Sequence, residues 1–140
     1  MKKLLLVSLF VLSVIPFFDS CKPDEPEPDP DPRDKFVARW QCRETSSVFG
    51  LSNYQVQIGL NTANETQVFL TNFYQFGQTD QAYAIASGNQ ITIPNQSFCD
   101  HTISGNGTID SKYVTITWDY IVVNTGAESD TCSAIYEKIQ

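Results

Sequence analysis

From Phe36 onward the apolar residues of this chain recur at every second position. Phe36, Ala38, Trp40 and Cys42 alternate with Val37, Arg39, Gln41 and Arg43. Tyr54, Val56, Ile58 and Leu60 alternate with polar neighbours, as do Val114, Ile116, Trp118 and Tyr120. A period of two is the mark of a strand with one face on a core, and no segment carries a helical stripe. Residues 67–73, 81–86, 90–93, 101–109 and 132–139 are shorter strand candidates. Turn signals fall between them at Ser87-Gly88-Asn89, Asp110-Ser111-Lys112 and Asn124-Thr125-Gly126. About eight strands in sequential hairpins predict an all-β, antiparallel up-and-down meander. Such a sheet exposes its edges unless it closes or packs on another, so a closed or half-open barrel is expected, with a β-sandwich as the alternative.

The chain divides before this domain. Lys2 and Lys3 precede an apolar run from Leu4 to Phe18. The run is shorter than the roughly 20 helical residues needed to cross a bilayer, and fits the apolar region of a signal peptide. Phe18-Asp19-Ser20-Cys21 then places a small residue directly before a cysteine. This resembles the lipobox of bacterial lipoproteins, in the looser form found in Bacteroidota. The resemblance implies acylation of Cys21, removal of residues 1–20 and attachment to a membrane. Several acyl chains, at about 0.8 kcal/mol per buried methylene, make a lasting anchor.

Residues 21–35 form the next unit. Five of the seven prolines lie there, alternating with acids. Proline fixes φ and lacks the N–H, so the segment is expected to be an extended, semi-rigid tether. Lys22, Asp24 and Glu25 after the cysteine resemble the surface-export signal of Bacteroidota lipoproteins. That implies an outer-membrane protein, with the cell surface preferred over the periplasmic face. The remaining unit, residues 36–140, carries four Lys/Arg against nine Asp/Glu, and the whole chain has a net charge of -7. Nucleic acid is therefore not an expected partner, because phosphate binding needs clustered positive charge.

Within the domain, residues 91–96, 103–109, 114–118 and 130–138 are similar to a small lipocalin-like β-domain of lipid-anchored Bacteroidota proteins. Ala38-Arg39-Trp40 faintly resembles the lipocalin Gly-x-Trp signature. The resemblance implies a barrel and brings no catalytic motif.

With Cys21 acylated, three cysteines remain. Cys42 lies in the first strand and Cys132 starts the last, and both share parity with core-facing neighbours. In a closed meander these strands are adjacent, so a Cys42–Cys132 disulfide is the preferred expectation. Cys42–Cys99 and Cys99–Cys132 are the other pairings. Cys99 and His101 share a strand face, but a thiol–imidazole nucleophile also needs an oxyanion site and an orienting group, and nothing locates them. No hydrolase elbow, phosphate loop or dinucleotide fingerprint occurs, no cysteine pair has zinc-site spacing, and alternating prolines keep the tether from wrapping an ion. No enzymatic activity, metal or cofactor is expected.

Aromatic residues are the functional hint. Phe73, Tyr74 and Phe76 cluster beside Gln75, Gly77 and Gln78, while Trp40 and Trp118 lie elsewhere. Flat faces beside amides can stack on a sugar or line a barrel mouth, or simply fill the core. The expected role is non-enzymatic binding of a small apolar or glycan ligand. The alternative is a structural or accessory subunit that meets an envelope protein partner.

Overall fold

The computed structural model describes residues 29–126 and 128–140. The expected signal peptide, Cys21 and the first part of the expected tether lie outside the described residues. Eight strands follow in chain order: β1 (Ala38–Ser46), β2 (Gly50–Leu60), β3 (Gln67–Thr71), β4 (Gln81–Ser87), β5 (Gln90–Phe98), β6 (His101–Ile109), β7 (Thr115–Asn124) and β8 (Ser129–Lys138). A 3-10 turn, Phe73–Gln75, sits between β3 and β4. Each strand pairs antiparallel with the next, and β8 pairs with β1, so the sheet closes into an up-and-down barrel. A β-sandwich is excluded.

The alternation sets the inside and the outside. Trp40, Val56, Ile58, Leu70, Ile91, Ile103, Ile116, Trp118 and Tyr136 are all buried inward. Their strand neighbours face water, the reverse of a barrel that sits in lipid. Two inward glycines make room for the largest rings, Gly105 opposite Tyr120 and Gly107 opposite Trp118. Pro94, the only proline in a strand among the described residues, stands where the β5–β6 register shifts between Ile93 and Gln96. A residue without an N–H is tolerated at such a bulge. The Gln96 amide fills the gap towards β4. Its Nε2 donates to the Tyr83 carbonyl at 2.8 Å, and its Oε1 accepts from the Tyr83 N–H at 3.2 Å.

Two expectations are corrected here. The folded body begins before Phe36. Phe36 is core, and Arg33 is buried against the β2–β3 turn. Arg33 Nη1 lies 2.8 Å from the Asn64 carbonyl, 2.9 Å from that of Gln67 and 3.1 Å from that of Asn61. The end of the tether is therefore a plug across one end of the barrel.

The second correction concerns the disulfide. Cys42 and Cys132 do face inward on adjacent strands, but Cys42 pairs with Tyr136, while Cys132 pairs with Ser46. That offset of four positions is roughly 13 Å along the strands. A disulfide needs Cα atoms within about 7 Å, so the two cannot bond. Cys42, Cys99 and Cys132 are all free thiols. Burial pushes the Cys42 thiol up to about 12, and raises Cys132 further by the same cause. Thiolate is the reactive form, so neither should react while the barrel is folded. Thiol titration of the Cys21→Ala chain should therefore count one accessible group, Cys99, in the native state and three in denaturant. A single group under both conditions would restore the Cys42–Cys132 bridge.

Candidate functional site

The two ends of the barrel differ. The chain enters at the end closed by Arg33 and Phe36, and here Trp40 Nε1 donates to the Phe36 carbonyl at 2.9 Å. The other end, the mouth, carries the β1–β2, β3–β4, β5–β6 and β7–β8 connections. Among the described residues six non-glycine positions have positive φ. Five of these lie at the mouth: Asn72 (63°), Tyr74 (51°), Gln75 (62°), Cys99 (48°) and Asp100 (60°). For a bulky residue such as Tyr74 this backbone is strained, at about 1–3 kcal/mol, and strain of this kind gathers at functional sites.

Interactions that hold this strain in place converge on Asp130. Tyr74 Oη donates to its Oδ2 at 2.5 Å, Ser46 Oγ to the same oxygen at 2.6 Å, and Ser47 Oγ to Oδ1 at 2.9 Å. The Val48 N–H adds a longer bond at 3.2 Å. Burial opposes ionisation of Asp130, but the bonds from Ser46, Tyr74, Ser47 and Val48 prevail and hold its pKa below the usual carboxylate range. Tyr74 thus lies latched across the mouth.

Around the latch runs an aromatic rim. The Tyr74 ring is 5.2 Å from Phe76 and 6.4 Å from Phe49, and Phe76 packs 4.8 Å from the His101 ring. Tyr74, Phe76, Phe49, His101, Asn124, Glu128 and Asp130 border a crevice of about 220 Å³. This is smaller than the roughly 300–1,000 Å³ that engulfs a drug-sized ligand, and suits one ring or a chain end. A wider groove of about 510 Å³ runs along the outer wall beside Leu51 and Ile135. It is a shallow hollow between outward side chains, without the aromatic rim and strained backbone of the mouth.

Below the rim the barrel interior is polar in its upper half. Tyr54 and Tyr120 both donate to Glu44 Oε2, and Ser52 Oγ approaches Oε1 at 3.3 Å. The two phenol oxygens are 3.4 Å apart. Phe73 closes this layer, its ring 4.8 Å from Tyr120. Burial raises the pKa of both tyrosines far above the ordinary value, so they remain protonated donors.

Of the expected ligand residues, Tyr74 and Phe76 reach the mouth. Trp40, Trp118 and Phe73 are fully buried and cannot meet a ligand in this state, which corrects that part of the expectation. Both tryptophans share strand parity with the core, whereas Phe73 turns inward because Tyr74 turns out. Phe49, Asp130 and Glu44 were missed. Glu44 falls on the same parity as Trp40 and Cys42, so an inward-pointing acid was visible in the sequence. His101 Nδ1 lies 2.6 Å from the Cys99 carbonyl oxygen, a turn contact rather than a thiol pair. Among the described residues no group of three or more His, Cys, Asp or Glu could hold a metal ion.

No family of known proteins matches this sequence, and no curated protein is similar to it. Solved structures do share the fold. A redesigned β-barrel, b11L5F_LGL, is similar with a TM-score of 0.56 at 10% identity, covering 79% of this chain and 96% of that one. EF1p2_mFAP2b, solved bound to DFHBI, is similar with a TM-score of 0.52 at 12% identity, covering 78% and 98%. At these identities the likeness shows the β-barrel fold alone.

Proposed function

We propose that this protein is a lipid-anchored, non-catalytic binding module of a bacterial outer membrane, which holds a small apolar or glycan ligand at the barrel mouth. One observation carries the binding part: the rim of Phe49, Tyr74 and Phe76 stands beside the polar groups of Asp130, Glu128, Asn124 and His101. Aromatic faces stack on the apolar face of a sugar or a lipid-like ring, and the carboxylates and amide accept or donate to its hydroxyls. The direction of β1 sets which end such an anchor would present. The strand leads from the plugged end to the mouth, so a membrane-tethered N-terminal segment presents the mouth outward.

The packed interior has no room for a ligand swallowed whole, so a ligand enters only as far as the segment over the mouth gives way. Anchor and ligand are tested separately. Metabolic palmitate labelling should mark the wild type and not Cys21→Ala, and equal labelling would remove the anchor. In titrations with neutral mono- and oligosaccharides and short alcohols, Tyr74→Ala/Phe76→Ala should lose at least tenfold in affinity. Unchanged affinity would move the site elsewhere.

One observation favours a second reading, docking of an envelope protein. Val48, Phe49 and Leu51, on a single hairpin, are 44%, 75% and 83% exposed. The closed ring offers no free edge for strand addition, so such a partner would have to meet this hairpin side-on.

A further inference from the structure

The polar upper half of the barrel holds two buried acidic side chains. Glu44 and Asp130 are each only 4% exposed. Among the described residues neither takes part in an ion pair, and the ion pairs that exist are Arg33–Asp31 and Arg43–Glu137. Buried charges are ordinarily paired, because the interior solvates them poorly. The Tyr136 hydroxyl is fully buried beside this cluster and has no hydrogen-bond partner. It points inward from β8 opposite Cys42, one inward position below the level of Glu44 on the paired strand β1. The interior therefore offers a carboxylate and an unused acceptor oxygen, with aromatic faces around them.

A way in is present as well. Phe73, which covers Tyr120, belongs to a segment whose residues Asn72, Tyr74, Gln75 and Gly77 all have positive φ. The segment is tied over the mouth by the Tyr74–Asp130 bond and by Asn72, whose Oδ1 accepts from the Gly77 N–H and whose Nδ2 donates to the Gln55 carbonyl. Lifting it withdraws one phenyl ring from a ring-shaped place against Tyr120, whose hydroxyl donates to Glu44.

We propose that the mouth ligand is a protonated primary amine with a ring or apolar body. The ring takes the place of Phe73 against Tyr120, and the ammonium donates to the Glu44 carboxylate and the Tyr136 oxygen. This rests on the mouth being the ligand site and names the class of ligand it takes. A cation over an aromatic face gains from the ring quadrupole in addition to the carboxylate, and that gain grows as water is excluded.

The test compares phenethylamine with its neutral counterpart phenethyl alcohol on the full chain, by calorimetry and by NMR of labelled tyrosine rings. Phenethylamine should bind at least tenfold more tightly and shift Tyr54, Tyr120 and Tyr136. Glu44→Gln should abolish the preference while keeping a cooperative melt. Tyr136→Phe, which removes the free acceptor and buries no charge, should reduce the preference if Glu44→Gln does not fold. Equal binding of amine and alcohol, with shifts confined to Tyr74, would overturn the amine and leave the mouth reading standing. No aromatic shift with either probe would overturn the amine, and the mouth reading is then decided by the saccharide titrations. The same tyrosine shifts with sodium or calcium chloride alone would also overturn the proposal, by assigning the charge to an inorganic ion.

Discussion

Gly105→Ala should destabilise the barrel by more than about 3 kcal/mol, the upper end of ordinary overpacking. A Cβ at this position would stand 2.3 Å from Tyr120 Cβ, 2.7 Å from the Asp119 carbonyl oxygen and 2.8 Å from Tyr120 Cα. Two of these are backbone atoms of the paired strand, which cannot step aside without breaking the β6–β7 ladder. At Gly107 the added carbon would meet Trp118 Cδ2 at 2.7 Å and Ile91 Cγ2 at 2.9 Å. Those are side-chain atoms, so Gly107→Ala should cost less, about 1–3 kcal/mol. Gly59 is the control. Nothing lies within 4 Å of a Cβ there and its φ is not positive, so alanine should be neutral or stabilise by about 0.4–1 kcal/mol. Urea denaturation with a common slope gives all three values. A Gly105→Ala midpoint equal to wild type would mean that Gly105 does not face Tyr120.

The same pair of glycines shows what the sequence carried. The segment Ile103-Ser104-Gly105-Asn106-Gly107-Thr108-Ile109 keeps strict parity, and both glycines fall on the inward face. Alternation alone therefore marks the face, and in a sequential meander it marks the strand order too. It does not record how far one strand is staggered against the next. That stagger follows from hairpin lengths and from the tilt a closed barrel imposes. For this reason parity puts Cys42 and Cys132 on the inward face of adjacent strands and is silent about the register that forbids their bond. The stretch before β1 was illegible for a different reason. Its prolines and acids read as solvated spacer, and only the three carbonyls of the β2–β3 turn give Arg33 somewhere to go.

The candidate site divides along similar lines. Tyr74 and Phe76 stood out because aromatic residues beside glycine and glutamine break the strand pattern. Phe49 did not, because a hairpin tip has no parity to break. Asp130 precedes the strand expected over 132–139, and becomes the centre of the mouth only when Ser46 and Ser47 of the β1–β2 hairpin and Tyr74 of the β3–β4 connection arrive around it. Convergence of this kind is a property of the closed ring, whereas the inward parity of Glu44 is a property of one strand and can be read from it.

Arg33→Ala should lower the melting temperature by roughly 10 °C, because it removes the side-chain donor shared by the carbonyls of Asn61, Asn64 and Gln67 and leaves each with its backbone N–H bond alone. Arg33→Lys should recover only part of this. A single ammonium cannot reach those carbonyls through Nη1 while also holding Asp31 through Nε and Nη2, as the guanidinium does. The same contact makes the plug pH-dependent. Hydrogen bonds from the Arg33 side chain, and then from its backbone, lower the Asp31 pKa from 3.8 to about 2. A carboxylate whose folded pKa lies below its unfolded value contributes fully above the unfolded value, and that contribution disappears as pH falls toward the folded one. Stability of the wild type relative to Asp31→Asn should therefore be constant from neutral pH down to about pH 5 and shrink between about pH 4 and 2. Thermal melts of the two proteins across that range decide it. A difference independent of pH would show that Asp31 does not hold the guanidinium, and the plug would then rest on the Arg33–carbonyl bonds and Phe36 alone.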